Sequence, residues 1–533
     1  MKVSQSLWTL VLTGLLVLTA ADYDFVIVGA GSAGSLLAGR LARQLRANVL
    51  LVEAGGDKTD PNISSMYGYY NVAFNPFNYG FLQWGFETTP QELAGAGHGV
   101  QPKSIGLPMG KVLGGSHSIN ACAFVQGHAS DFDRIAEETD DASWEFNNLK
   151  SLRRQLEDVF DLYKTGLEQV GAEQFVKTAE EVLGLPYNDY PLNGDQYGIG
   201  ASYWTAEQTD AGGVRMTSFD VFVEPMLQSK FDFQGNVDVV TYSVVEKLLF
   251  DPEDPTKVIG VSTFNTRSNL PFEFYASKEV IISAGTYNSP KILMLSGIGP
   301  QAQLDSLGIE TRVPLEGVGK NLRDHYAVAT FWDLAELDPA SPLLFQQPSF
   351  NIFGPESEGP PSYQMELSGT FGSITPLKQD SVGTVELQST NPLDPPLINP
   401  NVLSTEADIQ RIVDGLKTML IPYFSSLVKQ DLIAESSFSL SQTDEELWKF
   451  VVNNIGTNHH PTGTCKIGSS EDPYAVVDKD FKVFGTSNLR VVDGSIFPLT
   501  PSGNTNAPIM TAAMLASRKI KREYRRGDKD EED

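Results

Sequence analysis

With 533 residues, 41% of them hydrophobic, the chain can bury a large core, and its length suggests two or three domains or one domain with a big insertion. The 67 acidic residues outnumber the 39 basic ones, and a formal charge of −28 works against nucleic acid and anionic membrane surfaces as partners. It reads first as a solubilising surface, with no short repeat and no extended low-complexity tract.

The chain opens with Lys2, an apolar run over residues 7–18 and the small residues Thr19, Ala20 and Ala21. That order is the pattern of a secretory signal over residues 1–21, too short and lightly flanked for a membrane span, although an uncleaved anchor would look similar. The expectation is a secreted, extracellular protein with no span once the signal is removed. The mature chain then begins almost at once with Phe25-Val26-Ile27-Val28, a short β-branched run that predicts a buried parallel strand. Gly29, Gly31 and Gly34 follow at G-x-G-x-x-G spacing and open a helix over 34–45. The first glycine permits a tight turn, the second a close approach of backbone to a diphosphate, and the third helix-to-strand packing. A second strand over 48–52 delivers Glu53, about 20 residues on, where an acid accepts bonds from a ribose diol. These features predict an α/β, Rossmann-like dinucleotide fold; they do not separate FAD from NAD.

Residues 60–99 mix Pro, Asn, Gly and aromatics without a period, and include one sequon, Asn62-Ile63-Ser64, usable in a secreted chain. The glycine-rich stretch 107–135 carries Gly110, Gly114, Gly115 and the polar candidate Asn120, and suggests backbone meeting a second ligand surface. Residues 147–183 predict helix and residues 236–250 strand. Residues 279–300 read as strand, glycine turn, proline-started helix and glycine stop. The only cysteines, Cys122 and Cys465, read as buried free thiols in preference to a bridge. Residues 524–533 alternate basic and acidic blocks and predict a solvated tail.

The nucleotide fingerprint at Gly29, the segments 110–120 and 283–300, and the later pieces 315–325 (LEGVGKNLRDH) and 489–510 (LRVVDGSIFPLTPSGNTNAPIM) stand in the order of the signatures of the glucose-methanol-choline oxidoreductases, and the chain resembles that family. The resemblance covers nearly the whole mature chain. It implies an α/β FAD-binding domain of Rossmann-like type, discontinuous over 22–149, 214–325 and 459–523. A substrate-binding α+β cap on an antiparallel sheet would be built from 150–213 and 326–458, with 362–370 and 383–390 as strands of its floor. Cofactor contacts are implied at Gly29, Gly31, Ser32, Gly34, Glu53, Val112, Gly115, Asn120, Val245 and Asp493, with Val245 meeting the adenine through its backbone. Asp493 would point the final helix at the flavin. Some relatives attach FAD covalently through a histidine at the place of Ile119 here, so noncovalent FAD is expected, with His117 nearby as an alternative anchor. No metal is implied.

The same resemblance locates the chemistry. Oxidising an alcohol requires a base to take the hydroxyl proton as hydride leaves the carbon, and histidine suits neutral pH. His460, beside His459 in GTNHHPTGTCKIG, matches the family's catalytic histidine, and Asn506 matches the second member of the pair, as a donor to the substrate oxygen or as a helix N-cap. The implied activity is oxidation of a primary or secondary alcohol, with O₂ or a quinone as acceptor. Sugars and aromatic alcohols or cyanohydrins such as mandelonitrile are open as substrates, and Phe345, Phe350, Phe353 and Phe371 could line an apolar pocket or pack the core. A monomer or homodimer is expected. An FAD-containing hydroxynitrile lyase is the alternative, and a secreted FAD-binding protein without turnover a third.

Overall fold

The computed structural model describes residues 18–19, 23–64, 80–93, 102–167, 172–209, 212–228, 235–331, 349–354, 359–368, 371–434 and 442–530. All but two residues of the expected signal segment, and Phe345, lie outside the described residues.

The nucleotide-binding half is assembled from separated pieces. Strand β1 (Tyr23–Val28) leads into helix α1 (Ser32–Leu45) and strand β2 (Asn48–Val52). Phe25, Val26, Ile27, Val49, Leu50 and Leu51 are all fully buried, as parallel strands covered on both faces must be. The run expected as one strand over 236–250 is two: β3 (Asn236–Val240) pairs with β2, the chain turns at Tyr242 (φ 57°), and β4 (Ser243–Phe250) departs antiparallel to β5 (Val258–Asn265). Both sides of that turn are tied to Glu53, whose N–H donates to the Val240 carbonyl at 2.8 Å while its own carbonyl accepts from Ser243 N–H at 2.9 Å.

The long strand β6 (Leu270–Ile282) serves two sheets: its first half pairs antiparallel with β5, and its second runs parallel to β1. Helix α2 (Gly285–Leu295) follows. Proline does not start it, as the sequence suggests; Pro290 lies inside. The lost N–H leaves the Thr286 carbonyl four residues back without its helical donor, and Thr464 Oγ1 supplies one at 2.5 Å. Strand β7 (Leu489–Val491) closes the parallel sheet on β6, and helix α3 (Asn506–Asp530) packs across α1. The tail expected to be solvated from residue 524 is helical to Asp530. Glu523, one residue before it, bonds the buried Arg490 at 2.6 Å and the Tyr524 hydroxyl bonds Glu279 at 3.0 Å, so the helix is tied at these two residues to the Arg490–Glu279 pair of the sheet.

The cap is an antiparallel sheet ordered Gly456–Thr457, Tyr326–Phe331, Phe371–Pro376, Tyr363–Ser368, Ser349–Gly354, Gly198–Trp204 and Tyr163–Thr165. Its period-two alternation separates two jobs. Ile352, Met365 and Ile374 pack under the helices Glu406–Gly415 and Asp444–Asn454, whereas the neighbouring Asn351 and Glu366 line a cavity. From the stretch 362–370, Tyr363–Ser368 joins this floor as expected, but Thr384–Glu386 pairs instead with Leu397–Asn399 in a separate hairpin. The helical stretch 147–183 is broken by the strand Tyr163–Thr165; its first helix, Phe146–Phe160, buries Leu149, Leu152 and Leu156 in the nucleotide-domain core. Among the described residues no helix is long and apolar enough to cross a membrane.

Candidate active site

A cavity of about 530 Å³ runs from the glycine turn after β1 to the floor of the cap. At the near end Gly31 is the N-cap of α1, no side chain bonds the first-turn N–H groups, and Gly31 and Ser32 line the cavity. These unpaired donors and the positive end of the helix suit a diphosphate. The three glycines divide the work as their spacing predicts. A Cβ on Gly34 would stand 1.9 Å from the Gly29 carbonyl oxygen, so this residue sets helix-to-strand contact. Gly31 has space around its missing Cβ, the nearest protein atom being Gly115 Cα at 4.0 Å. Conversely, a Cβ on Gly115 (φ 56°) would lie 2.7 Å from Gly31 Cα: the two glycine loops abut, and a side chain on Gly115 would force them apart.

Glu53 is buried at this end, and its two oxygens accept from Ala30 N–H and Gly55 N–H, each at 2.9 Å. Burial outweighs those bonds and pushes its carboxyl up to about 7. It braces the glycine turn and still has lone pairs on the cavity side for a ribose. An uncapped helix start, a position with room for phosphate where a side chain would stand, and an acid at ribose distance along the chain together fit the dinucleotide FAD.

The remaining predicted contacts divide. Val245 lines the cavity beside a bulge in β4, and Asn120 lines it while its Oδ1 accepts from Arg215 Nη1 at 2.8 Å and Cys122 N–H at 2.9 Å. Val112 does not line it: the side chain packs with Ile63, Leu82 and Ile119, leaving only its carbonyl, bonded by Gly115 N–H at 2.7 Å, to shape the loop. Asp493 lines the cavity, but its Oδ2 accepts from Gly285 N–H at 2.8 Å and Ser289 Oγ at 2.5 Å, and its Oδ1 from Ser495. It therefore pins the start of α2 to the end of β7, and does not aim α3 as expected. His117 is locked by protein: Nδ1 accepts from Ser218 N–H at 3.2 Å, which leaves Nε2–H to donate to Thr205 Oγ1 at 2.9 Å. Burial, with the Arg215 and Lys58 cations adding to it, pushes this imidazole down to about 3. Cys122 and Cys465 are separate buried thiols.

At the far end, His460 is buried and lines the cavity with His459. His459 takes the left-handed conformation (φ 61°). The backbone N–H of His460 donates to Asp324 Oδ1 at 2.8 Å; the same oxygen accepts from His325 N–H at 2.8 Å, and Oδ2 accepts from Thr457 Oγ1 at 2.5 Å. His460 Nδ1 meets His325 Nδ1 at 3.0 Å. Burial, and then the neighbouring imidazoles of His325 and His459, hold His460 well below the ordinary histidine range, so it is neutral at pH 7.

The partner of its Nε2 is a correction. Asn504, not Asn506, brings its amide nitrogen to His460 Nε2, at 3.2 Å. Asn506 lines the cavity, but its Oδ1 accepts from Ser32 Oγ at 2.6 Å, across at the start of α1. The reason is local: Asn504 precedes α3 in non-helical chain, whereas Asn506 is already the first helical residue, so the two side chains diverge. The sequence signal for Asn504 is its place two residues ahead in the same NTNAP motif, and that for Asp324 and His325 is their place in NLRDH. Glu366, on the cap floor, had no sequence signal. Its Oε1 accepts from Gln364 Nε2 at 3.1 Å and Asn504 Nδ2 at 3.3 Å, and its Oε2 from Ser373 Oγ at 3.3 Å. Of the four aromatics weighed as pocket lining, Phe350 lines the cavity and Phe353 packs in the core; the side chains of Phe345 and Phe371 lie outside the description.

Family models described as GMC oxidoreductase match residues 23–327 and 379–513. An alcohol dehydrogenase [acceptor] of Pseudomonas putida is 30% identical, with 94% of this chain and 96% of that protein covered. A glucose dehydrogenase [FAD, quinone] of Drosophila melanogaster is 29% identical, covering 94% and 87%. Among solved structures, pyridoxine 4-oxidase from Mesorbium loti shares the fold with a TM-score of 0.81 at 24% identity, covering 93% of this chain and 99% of that one.

Proposed function

Because the chain belongs to the GMC oxidoreductase family and is an FAD-dependent oxidoreductase acting on CH–OH groups, we propose that it oxidises a primary or secondary alcohol with His460 as base and Asn504 as the donor to the reacting oxygen. The observation that carries this reading is the convergence of His460 Nε2 and Asn504 Nδ2, 3.2 Å apart, on the wall of the cavity that begins at the glycine turn. An N–H facing a lone pair is the arrangement one hydroxyl can bridge, giving its proton to Nε2 and accepting from Nδ2.

FAD bound in this cleft supplies the acceptor for the hydride. The substrate's O–H proton goes to His460 Nε2, the C–H bonding pair leaves with the hydride, and the carbon–oxygen bond becomes a carbonyl. Asn504 Nδ2 bonds that oxygen while negative charge builds on it. With Nε2 held as acceptor, His460 carries its proton on Nδ1 and donates it to His325 Nδ1, which fixes the ring. Asp324 holds the backbone of both histidines. The cap half of the cavity offers Phe350 and Trp204 as apolar walls with Asn351 and Glu366 as polar groups, so a substrate with both kinds of surface is accommodated. The locked ring of His117, with Ile119 in the position used elsewhere for attachment, supports noncovalent FAD.

Anaerobic mixing of the yellow protein with a panel of alcohols tests the reading. Bleaching of the oxidised flavin band by one class identifies the substrate, and readmitted air sorts O₂ from a quinone as acceptor. His460→Ala is expected to keep FAD and slow bleaching by roughly 10²–10⁴-fold; an unimpaired variant removes His460 from the mechanism. Absence of bleaching across the panel, with cyanohydrin cleavage in its place, would establish the lyase reading.

A further inference from the structure

Within the site just proposed, every polar side chain clustered at the His460 ring except one can exchange donor for acceptor. The amides of Asn504 and Gln364 can each turn over, hydroxyls rotate, and imidazoles have two tautomers. An ionised carboxylate can only accept. Burial raises the Glu366 carboxyl above its ordinary range, against the bonds from Asn504 and Ser373; in its ionised form Glu366 is that group, and the polarity of the cluster then follows from it. Gln364 must turn its Nε2 toward Glu366 Oε1 (3.1 Å), and the same amino group, its two hydrogens shared among three acceptors, also faces Asn504 Oδ1 at 3.1 Å and Asn351 Oδ1 at 2.8 Å. With its Oδ1 occupied, Asn504 is left facing Glu366 and His460 with Nδ2, at 3.3 and 3.2 Å. One N–H of that amide belongs to the carboxylate and the second is aimed at the base, to one side of which a substrate oxygen can reach both nitrogens. Turning the Asn504 amide over would set its oxygen against Glu366 Oε1 and its nitrogen against Gln364 Nε2, two clashes of like polarity.

We propose that Glu366 is a positioning residue of the reaction: through Gln364 and Asn504 it imposes donor polarity on the amide and the Nε2-accepting tautomer on His460, and it is the counter-charge for the imidazolium formed when the proton is taken. The second role answers a difficulty of the site. His460 is faced by His325 from the 315–325 loop and by His459 on its own segment, while Asp324 reaches only its backbone N–H; among the described residues no cationic or anionic side chain bonds the His460 ring directly. A buried base so placed loses proton affinity. A carboxylate one amide away restores part of it without competing for Nε2. Around Glu366 itself the partners are Gln364, Ser373 and Asn504, all neutral, so its charge is free to act on the histidine.

The inference rests on His460 being the base, and the test separates the two. Flavin reduction is followed anaerobically against pH in the holoenzyme and in Glu366→Gln, Glu366→Asp, Gln364→Leu and His460→Ala. Loss of the anion in E366Q is expected to slow reduction by roughly 10- to 100-fold, less than the roughly 10²–10³-fold of deleting such a donor outright. It should also move the acid limb of the rate to lower pH, because His460 becomes harder to protonate. E366D keeps the charge and is expected to keep the limb in place. Q364L breaks the polarity chain without touching the charge, so it should slow reduction at all pH values with the limb unmoved, and it serves if E366Q does not fold. A wild-type rate and limb in E366Q, or a wild-type rate in Q364L, overturns the proposal while a slow H460A leaves the base intact. A fast H460A overturns both.

Discussion

Asp324 carries the loop of the base, and its replacement by asparagine has a consequence with a definite sign. Its Oδ1 holds the N–H groups of His325 and His460, and its Oδ2 the Thr457 hydroxyl. Burial nevertheless lifts its pKa from 3.8 to about 7, because three neutral donors do not repay the desolvation of the anion. Well below about pH 4 both the folded and unfolded chains hold the proton, and the ionisation of Asp324 has no effect on stability. Between about pH 4 and 7 the unfolded chain alone ionises, so stability falls as pH rises; above about 7 the loss is complete and constant. At about 1.4 kcal/mol per pH unit, the rise to about 7 sets a ceiling of about 4 kcal/mol on that loss. In Asp324→Asn the new amide would offer its oxygen to the same two N–H groups and its nitrogen to the Thr457 oxygen, with no charge to bury. The variant is therefore expected to melt above the wild type at about pH 8 by several degrees. The difference should shrink toward zero as pH falls to about 4. Thermal scans at one heating rate, with FAD in excess, measure it. A Tm difference that is the same at every pH, or a variant less stable than wild type at about pH 8, would falsify the account of Asp324 as a buried and costly anion.

Other outcomes follow from the geometry. Asn504→Ala should slow flavin reduction by roughly 10²–10³-fold with FAD retained, whereas Asn506→Ala should leave the reduction step within a few-fold and act on FAD affinity through its bond to Ser32; equal kinetic defects in the two would restore Asn506 to the reacting pair. Gly31→Val should give a folded, colourless protein, since its Cβ meets no protein atom closer than 4.0 Å, while Gly34→Val should fail to fold because its Cβ would stand 1.9 Å from a carbonyl oxygen. A yellow G31V at full occupancy would refute the diphosphate cradle. Acid precipitation of the holoenzyme should release all flavin into the supernatant; yellow colour retained on the pellet would show a covalent bond.

Glycine spacing, the β-branched run at Phe25 and an acid at Glu53 place a dinucleotide site by local rules alone, and those elements form where they were expected because each is specified within about 30 consecutive residues. His460 was legible for a similar reason, its motif being contiguous. The misassignments have another origin. Pro290 looked like a helix start because the missing donor for Thr286 is supplied by Thr464, which is 178 residues away. Asp493 lines the cavity as a cofactor contact would, but its bonds to Gly285, Ser289 and Ser495, which pin α2 to the end of β7, were set by distant segments. Asn504 and not Asn506 meets the base although both stand in one motif, because only the onset of α3 and the position of Ser32 decide which amide turns to it. Glu366 could not be found at all: a carboxylate on one strand of a cap sheet acquires a role only when that sheet is laid over a loop 138 residues further on. Sequence determined the ligand class and the candidate base, since backbone conformation and short-range motif chemistry carry them. Tertiary structure decided which hydrogen-bond partners remained for each side chain, because that depends on what distant segments have already claimed.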